Sequence, residues 1–169
     1  NPHACPIFRY AEMLLNAAEA LNEAGKTNEA YQYVNEVRAR VGMPAYSGMT
    51  QDKLRERIQN ERRIELCFED HRFFDERRWK LFEGKTASSE KNLPRYKQVY
   101  NLYGIRWNSE TEFQYVQEEK IGTRAFASPK NYYFPIPDAT LKKNPNLGQN
   151  PGWELTDSNV NGDSSDLAE

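Results

Sequence analysis

Glu61, Glu65 and Asp75 are the residues whose type and spacing come nearest to catalytic chemistry. Two carboxylates a suitable distance apart are the minimum for glycoside hydrolysis, one giving a proton and the other attacking or activating water. Arg72, Arg77 and Arg78 stand close by in the sequence, and guanidinium neighbours lower a carboxyl pKa where a general acid needs a raised one. The set therefore reads as a structural charge network. Carboxylates on a buried helix face need partners, and arginine supplies bidentate ones. No nucleophile elbow, P-loop or phosphate-cradling glycine run accompanies them, so no enzyme activity is expected.

The histidines and cysteines fall into two clusters, His3-x-Cys5 and Cys67-x-x-x-His71. A Cys₂His₂ zinc site is the chemistry they could offer, since positions i and i+4 face one way on a helix. His3 sits at a loose terminus and His71 past a helix break, so no metal or other cofactor is expected. Cys67, between Leu66 and Phe68, reads as a small buried core residue; a Cys5–Cys67 disulfide stays open. The tail from Asp157 to Asp163 imitates half a calcium loop, but Ala168 stands where the bidentate acid should be. The aromatics Tyr96, Tyr100, Tyr103 and Trp107 could form a platform on which sugar rings stack, against the alternative that they cover the helices.

What must position these groups is a set of helices. Leu54–Phe82 has no Gly or Pro and carries eight Lys/Arg against seven Asp/Glu. Leu54, Ile58, Glu61, Glu65 and Phe68 share one face at helical spacing, and a second apolar group, Phe73, Phe74, Trp79, Leu81 and Phe82, follows Asp70 as N-cap. Upstream, a helix runs from Pro6 to the stop at Gly25, and a second, capped by Thr27, ends at Gly42. Ala17, Ala18 and Ala30 allow close approach, with Leu14, Leu21, Val34 and Val37 as the seam. The spacing resembles a tetratricopeptide unit, with Leu14 and Leu21 where its aromatics usually stand, and a Thr50-capped helix with its partner makes a second. The outer face around Leu14, Leu21 and Val34 has no evident cover in this sequence, so an exposed apolar patch is expected there.

The fold expected is mainly α: tetratricopeptide-like hairpins over residues 1–83, a loop-rich region over 84–155 that packs on them, and a flexible acidic tail over 156–169. EFQYVQEEK is a candidate strand, alternating prolines around Ile136 exclude helix, and Trp153 is an anchor onto the helices. The chain is polar, with mean hydropathy −0.93. Only 38% of its 169 residues are apolar, while 12% are aromatic, so a few large side chains must do the burying. A net charge of −2 offers nucleic acid no electrostatic footprint. No run of 18 apolar residues spans a bilayer. On these features alone a tetratricopeptide-type module for protein–protein interaction is one functional reading.

Another comes from motifs in order: Arg9-Tyr10-Ala11-Glu12; Glu61-Arg62-Arg63-Ile64-Glu65-Leu66 with Phe68-Glu69; Arg72, Asp75 and Arg77-Arg78-Trp79; Pro135-Ile136-Pro137; and Gln149-Asn150-Pro151-Gly152. Together they resemble the SusD/RagB family over residues 6–153. The resemblance implies a non-catalytic outer-membrane, cell-surface lipoprotein. Such a protein binds glycans or other nutrients and hands them to a TonB-dependent, SusC-like transporter. It also implies that this chain is the C-terminal portion, with the lipid anchor and much of the ligand platform on an absent N-terminal portion that would be its partner. Asp70 departs from the pattern, standing where the family often has Gly.

Overall fold

The computed structural model describes residues 8–94, 97–104, 106–108, 112–114, 120–144 and 146–154. His3, Cys5, Pro6, Tyr96 and the acidic tail lie outside them. The protein is mainly helical. Residues up to Leu81, together with Asn92–Gln98, form one compact unit; Phe82–Lys91 and the chain from Val99 form another.

In the first unit, α1 (Tyr10–Glu23) and α2 (Thr27–Arg40) form an antiparallel hairpin, α3 (Gln51–Glu65) packs on both, and α4 (His71–Arg78) follows. Gly25 and Gly42 take positive φ (77° and 69°) where the two helices end, a conformation nearly free for glycine. Thr50 caps α3 by accepting the Lys53 N–H at 3.3 Å. Thr27 is not a cap. It is the first helical residue, and its hydroxyl donates to Asn22 Oδ1 at 3.1 Å. Asn22, fully buried, donates to the Gln51 carbonyl and accepts from the Gln51 side chain on its own, which fixes the start of α3 against the end of α1.

Leu14, Leu15, Ala18, Ala30, Val34, Val37, Leu54, Ile58 and Leu66 make the core. The expected apolar patch around Leu14, Leu21 and Val34 is therefore absent. Leu14 and Val34 are buried and Leu21 packs against the core, because Leu54 and Ile58 of α3 join them there. Exposed apolar side chains stand elsewhere, at Phe8, Ile64, Phe68, Phe73 and Phe74.

The Cys67–Asp70 link corrects three further expectations. Helix α3 stops at Glu65, so Phe68 leaves the helical spacing, takes φ 64° and is fully exposed; Leu66 is buried instead. Cys67 is exposed rather than core. Asp70 precedes α4 but caps nothing with its side chain; it is left-handed, φ 61°, where a glycine would carry no strain. Phe73 and Phe74 pack edge to face at 5.2 Å and stay exposed, while Leu81 and Phe82 are buried.

Among the described residues the second unit holds two short antiparallel pairs. β1 (Asn101–Tyr103) pairs with β4 (Lys120–Thr123), and β2 (Arg106–Asn108) with β3 (Glu112–Gln114), in the register Trp107↔Phe113. A six-residue helix, α5 (Asp138–Lys143), lies between the two proline-bearing motifs. Those motifs meet. The Gln149 amide accepts the Ile136 N–H at 2.8 Å and donates to the Ile136 carbonyl at 2.9 Å, and Asn150 donates to the Phe134 carbonyl at 2.7 Å. The Trp153 indole N–H is shared between the Lys130 and Tyr133 carbonyls, and the Lys130 ammonium sits 4.2 Å from the ring centre.

Candidate functional site

The charge network is built by every helix of the first unit. Glu61 on α3 is held from α2: Arg38 Nη1 donates to its Oε2 at 2.6 Å, and the Tyr46 hydroxyl adds a bond at 3.2 Å. Arg38 also lies over the Tyr46 ring at 3.8 Å and donates to the Pro44 carbonyl. Burial, then the charge of Glu61, pushes the Tyr46 phenol up from its ordinary value. Glu65 takes Arg9 from the start of α1 at 2.6 Å and Arg40 from the end of α2 at 2.8 Å. Arg9 extends on to Glu69, which its hydrogen bond holds below the usual carboxylate range.

Asp75 on α4 is the most deeply placed member. Its Oδ2 accepts Arg62 Nε at 2.8 Å, with only 6% and 4% of the two side chains exposed, and its Oδ1 accepts Arg78 Nε at 2.8 Å. Arg62 continues to Asn16 Oδ1 at 2.6 Å and to His71 Nδ1 at 3.4 Å. Arg78 and the Trp79 indole both donate to Glu19 of α1. Burial would raise the Glu19 pKa, but these donors outweigh it and leave it below the usual carboxylate range.

The carboxylates singled out in the sequence are thus all paired, yet mostly not by the arginines nearest in sequence. Arg72 bonds Glu76 one turn on, at 2.6 Å. Arg77 covers the Phe73 ring at 3.4 Å and donates to the Phe73 carbonyl. Only Arg78 bonds a carboxylate of the expected set. The partners missed, Arg9, Arg38, Arg40 and Arg62, lie up to 56 residues away from the acid they hold. One signal for Arg38 and Arg40 was present: both close the last turn of α2, where the dipole favours cations.

Of the aromatic candidates, Tyr100, Tyr103 and Trp107 belong to the second unit, and Tyr96 lies outside the described residues. Tyr100 is half-buried, its ring edge-on to Phe82 at 5.4 Å and its hydroxyl donating to the Phe82 carbonyl at 3.3 Å. Burial, then the charge of Glu90, raises its pKa. Glu90 is wholly buried and accepts the backbone N–H groups of Val99, Tyr100 and Asn101, which fixes the start of β1. Phe82 stacks face to face on Phe126 at 3.9 Å, closing a cluster that Tyr132 joins edge-on. Tyr103 is half-buried at the end of β1, and Trp107 is described through its backbone pairing in β2. Among the described residues the stacked rings are Phe82 and Phe126.

A mainly α-helical protein results, in which buried arginine–carboxylate pairs lock the helices and a looped unit carries an aromatic cluster. The SusD family model matches residues 2–153. The chain is 34% identical over 156 residues to SusD-like protein P2 of Formosa agariphila, covering 86% of this chain and 25% of that one. SusD-like protein P38 of the same organism is 40% identical over 78 residues, 41% of this chain and 16% of the relative. The crystal structure of a SusD-like protein from Bacteroides fragilis superposes with a TM-score of 0.69 at 38% identity, over 86% of this chain and 25% of that one. The chain belongs to the SusD family. It spans about a quarter of the length of protein P2 and of the Bacteroides fragilis protein.

Proposed function

We propose that this chain is the C-terminal portion of a non-catalytic cell-surface protein that binds glycans or other nutrients for a TonB-dependent, SusC-like outer-membrane transporter. The family match across residues 2–153 carries the reading. A lipid on the N-terminal portion would hold the protein at the extracellular face of the outer membrane. The rest of that protein would cover the exposed Phe8, Ile64, Phe68, Phe73 and Phe74. The carboxylates support binding over hydrolysis: Glu61, Glu65 and Asp75 are each committed to guanidinium groups, which leaves no pair free for acid–base work. Tyr96, Tyr100, Tyr103 and Trp107 are the side chains assigned to the ligand, with ring stacking as the interaction.

Affinity electrophoresis of the full-length protein against a panel of polysaccharides tests this. Retardation by at least one glycan is expected, reduced in a Tyr103→Ala, Trp107→Ala variant. Retardation by none, or sustained release of reducing sugar that Glu61→Gln abolishes, would overturn the assignment.

A further inference from the structure

The chain has two cysteines, and the structure sets one of them where the start of α1 is tied down. Cys67 lies in the link between α3 and α4 with its side chain exposed to solvent. Phe68 and Asp70 take positive φ, 64° and 61°, so the backbone turns sharply just after it. Arg9, the residue before α1, straddles this turn. Its Nη1 bonds Glu65 Oε1 at 2.6 Å, its Nη2 bonds the Glu65 carbonyl, and its Nε reaches the two Glu69 oxygens at 2.9 and 2.8 Å. Cys67 stands midway between those two anchors in the sequence.

Cys5 lies outside the described residues, four positions before Arg9. Four residues reach at most about 14 Å, and a disulfide needs its Cα atoms about 5.5–6 Å apart. The clamp at Arg9 therefore confines Cys5 to the neighbourhood of the α3–α4 link. His71 is not available to turn the pair into a metal site. Its Nε2 lies 3.6 Å from Glu12 Oε2 and its Nδ1 3.4 Å from Arg62 Nη2, so both ring nitrogens are already occupied. Among the described residues no three of His, Cys, Asp or Glu converge as a metal ion requires.

We propose that Cys5 and Cys67 form a disulfide that clasps the chain entering α1 to the α3–α4 link. The bond forms by exchange with a small disulfide oxidant such as oxidised glutathione. The Cys67 thiolate attacks one oxidant sulfur, whose S–S bond breaks and releases a thiolate. The Cys5 thiolate then attacks Cys67 Sγ and displaces the second. One S–S bond is lost and one gained, and the two cysteine protons end on the two released thiols. Arg9 and Glu69 keep 28% and 35% of their side chains exposed, and ion pairs so wetted hold weakly. A covalent bond at the same place closes a long loop, from residue 5 to residue 67, and restricts the unfolded chain. The proposal rests on the cell-surface reading for its setting alone, since an exported protein meets an oxidising compartment in which such a bond persists.

The intact chain, reduced and then equilibrated at low concentration with reduced and oxidised glutathione, tests this. After alkylation and tryptic digestion without reductant, a bridged species joining residues 1–9 to residues 64–72 is expected. The two thiols should show an effective concentration in the millimolar range or above. Unfolding in urea should lower it at least about tenfold, because the Arg9 clamp is released and a long loop must then close by chance. Arg9→Ala should lower it several-fold in the folded chain. The oxidised chain should melt about 5 °C or more above the reduced one, a gap absent from the Cys5→Ser, Cys67→Ser variant. A glutathione adduct left on Cys67 without a bridge, or a Cys67–Cys67 bond between two copies in its place, would overturn the proposal. So would an effective concentration that neither urea nor Arg9→Ala changes, or equal melting of the two forms. None of these readouts uses a glycan, so failure of the bridge leaves the binding reading standing, and failure of glycan retardation leaves the bridge.

Discussion

Replacing Arg62 with Met removes the cation at the centre of the first unit. Its guanidinium bonds Asp75, Asn16 and His71, and 4% of the Asp75 side chain is exposed. Removing one partner of a buried pair costs about 3–5 kcal/mol, because the other charge stays buried and uncompensated. Arg78 still holds Asp75 through Oδ1, so the expected loss lies near the lower end, about 3 kcal/mol. For a domain stable by roughly 5–15 kcal/mol this is a large fraction. Changing Asp75 to Leu as well removes the stranded anion, and replacing a whole buried pair with apolar residues is close to neutral. The double variant should therefore be more stable than Arg62→Met alone, although Arg78 then keeps only Glu19. Urea titrations of wild type, both singles and the double give the four free energies. Strictly additive losses would refute the argument, as would an Arg62→Met loss below about 1 kcal/mol, the level of a surface pair.

Glu90→Ala should loosen the start of β1, with a loss of about 3 kcal/mol or more, since three backbone N–H groups lose a charged acceptor; amide exchange at Val99, Tyr100 and Asn101 reads it directly. Gly152→Ala should destabilise the second unit by about 1–3 kcal/mol. The new Cβ would meet Lys130 Cβ at 2.8 Å at φ 83°, and Trp153 fluorescence should shift red as its ring loses its seat. Acid should unlock the α1–α4 contact. The folded-state pKa of Glu19 is depressed, so its stabilisation is complete above the ordinary carboxylate value near 4.5 and is lost as pH falls below that through the depressed value. Melting temperatures of Glu19→Gln measured across that window should be flatter than those of wild type. Parallel curves would remove Glu19 from the account.

Helix positions were legible because their signals are local. Gly25, Gly42 and Thr50 each act within one turn, and α1, α2 and α3 start or stop within a few residues of them. The Leu54 and Ile58 stripe was legible for the same reason. Partner choice was not. Glu61 and Glu65 announced that they would need cations, but which cation reaches them depends on how three helices align, and Arg9 and Arg38 are far off in sequence. Helical spacing carried past Glu65 misplaces Phe68 and Cys67, since nothing in composition marks the end; the positive φ of Phe68 is imposed by the turn against residue preference, whereas aspartate at 70 is a type that tolerates it. The cover of the first hairpin is hidden in the sequence because helical spacing alone does not show that the Leu54 and Ile58 face of α3 packs on α1 and α2. Glu90, the pin of β1, carries no spacing signal at all.

The composition of the first unit's interior has a thermal consequence. Short aliphatics from three helices share it with Arg38, Glu61, Arg62, Asp75 and Glu76, all buried. Apolar surface raises the heat capacity on exposure, and polar surface lowers it. Unfolding such an interior exposes both at once, so the heat-capacity increment per residue should fall below the usual range of about 12–15 cal/mol/K. The stability curve is then broad and shallow. Its enthalpy changes slowly with temperature, and cold weakens the fold less than it weakens an all-aliphatic core of the same size. The hydration penalty of the buried ions meanwhile shrinks on warming. A fold of this kind keeps a nearly constant margin across a wide span of temperatures, which calorimetry would show as a small step in baseline beneath the unfolding peak.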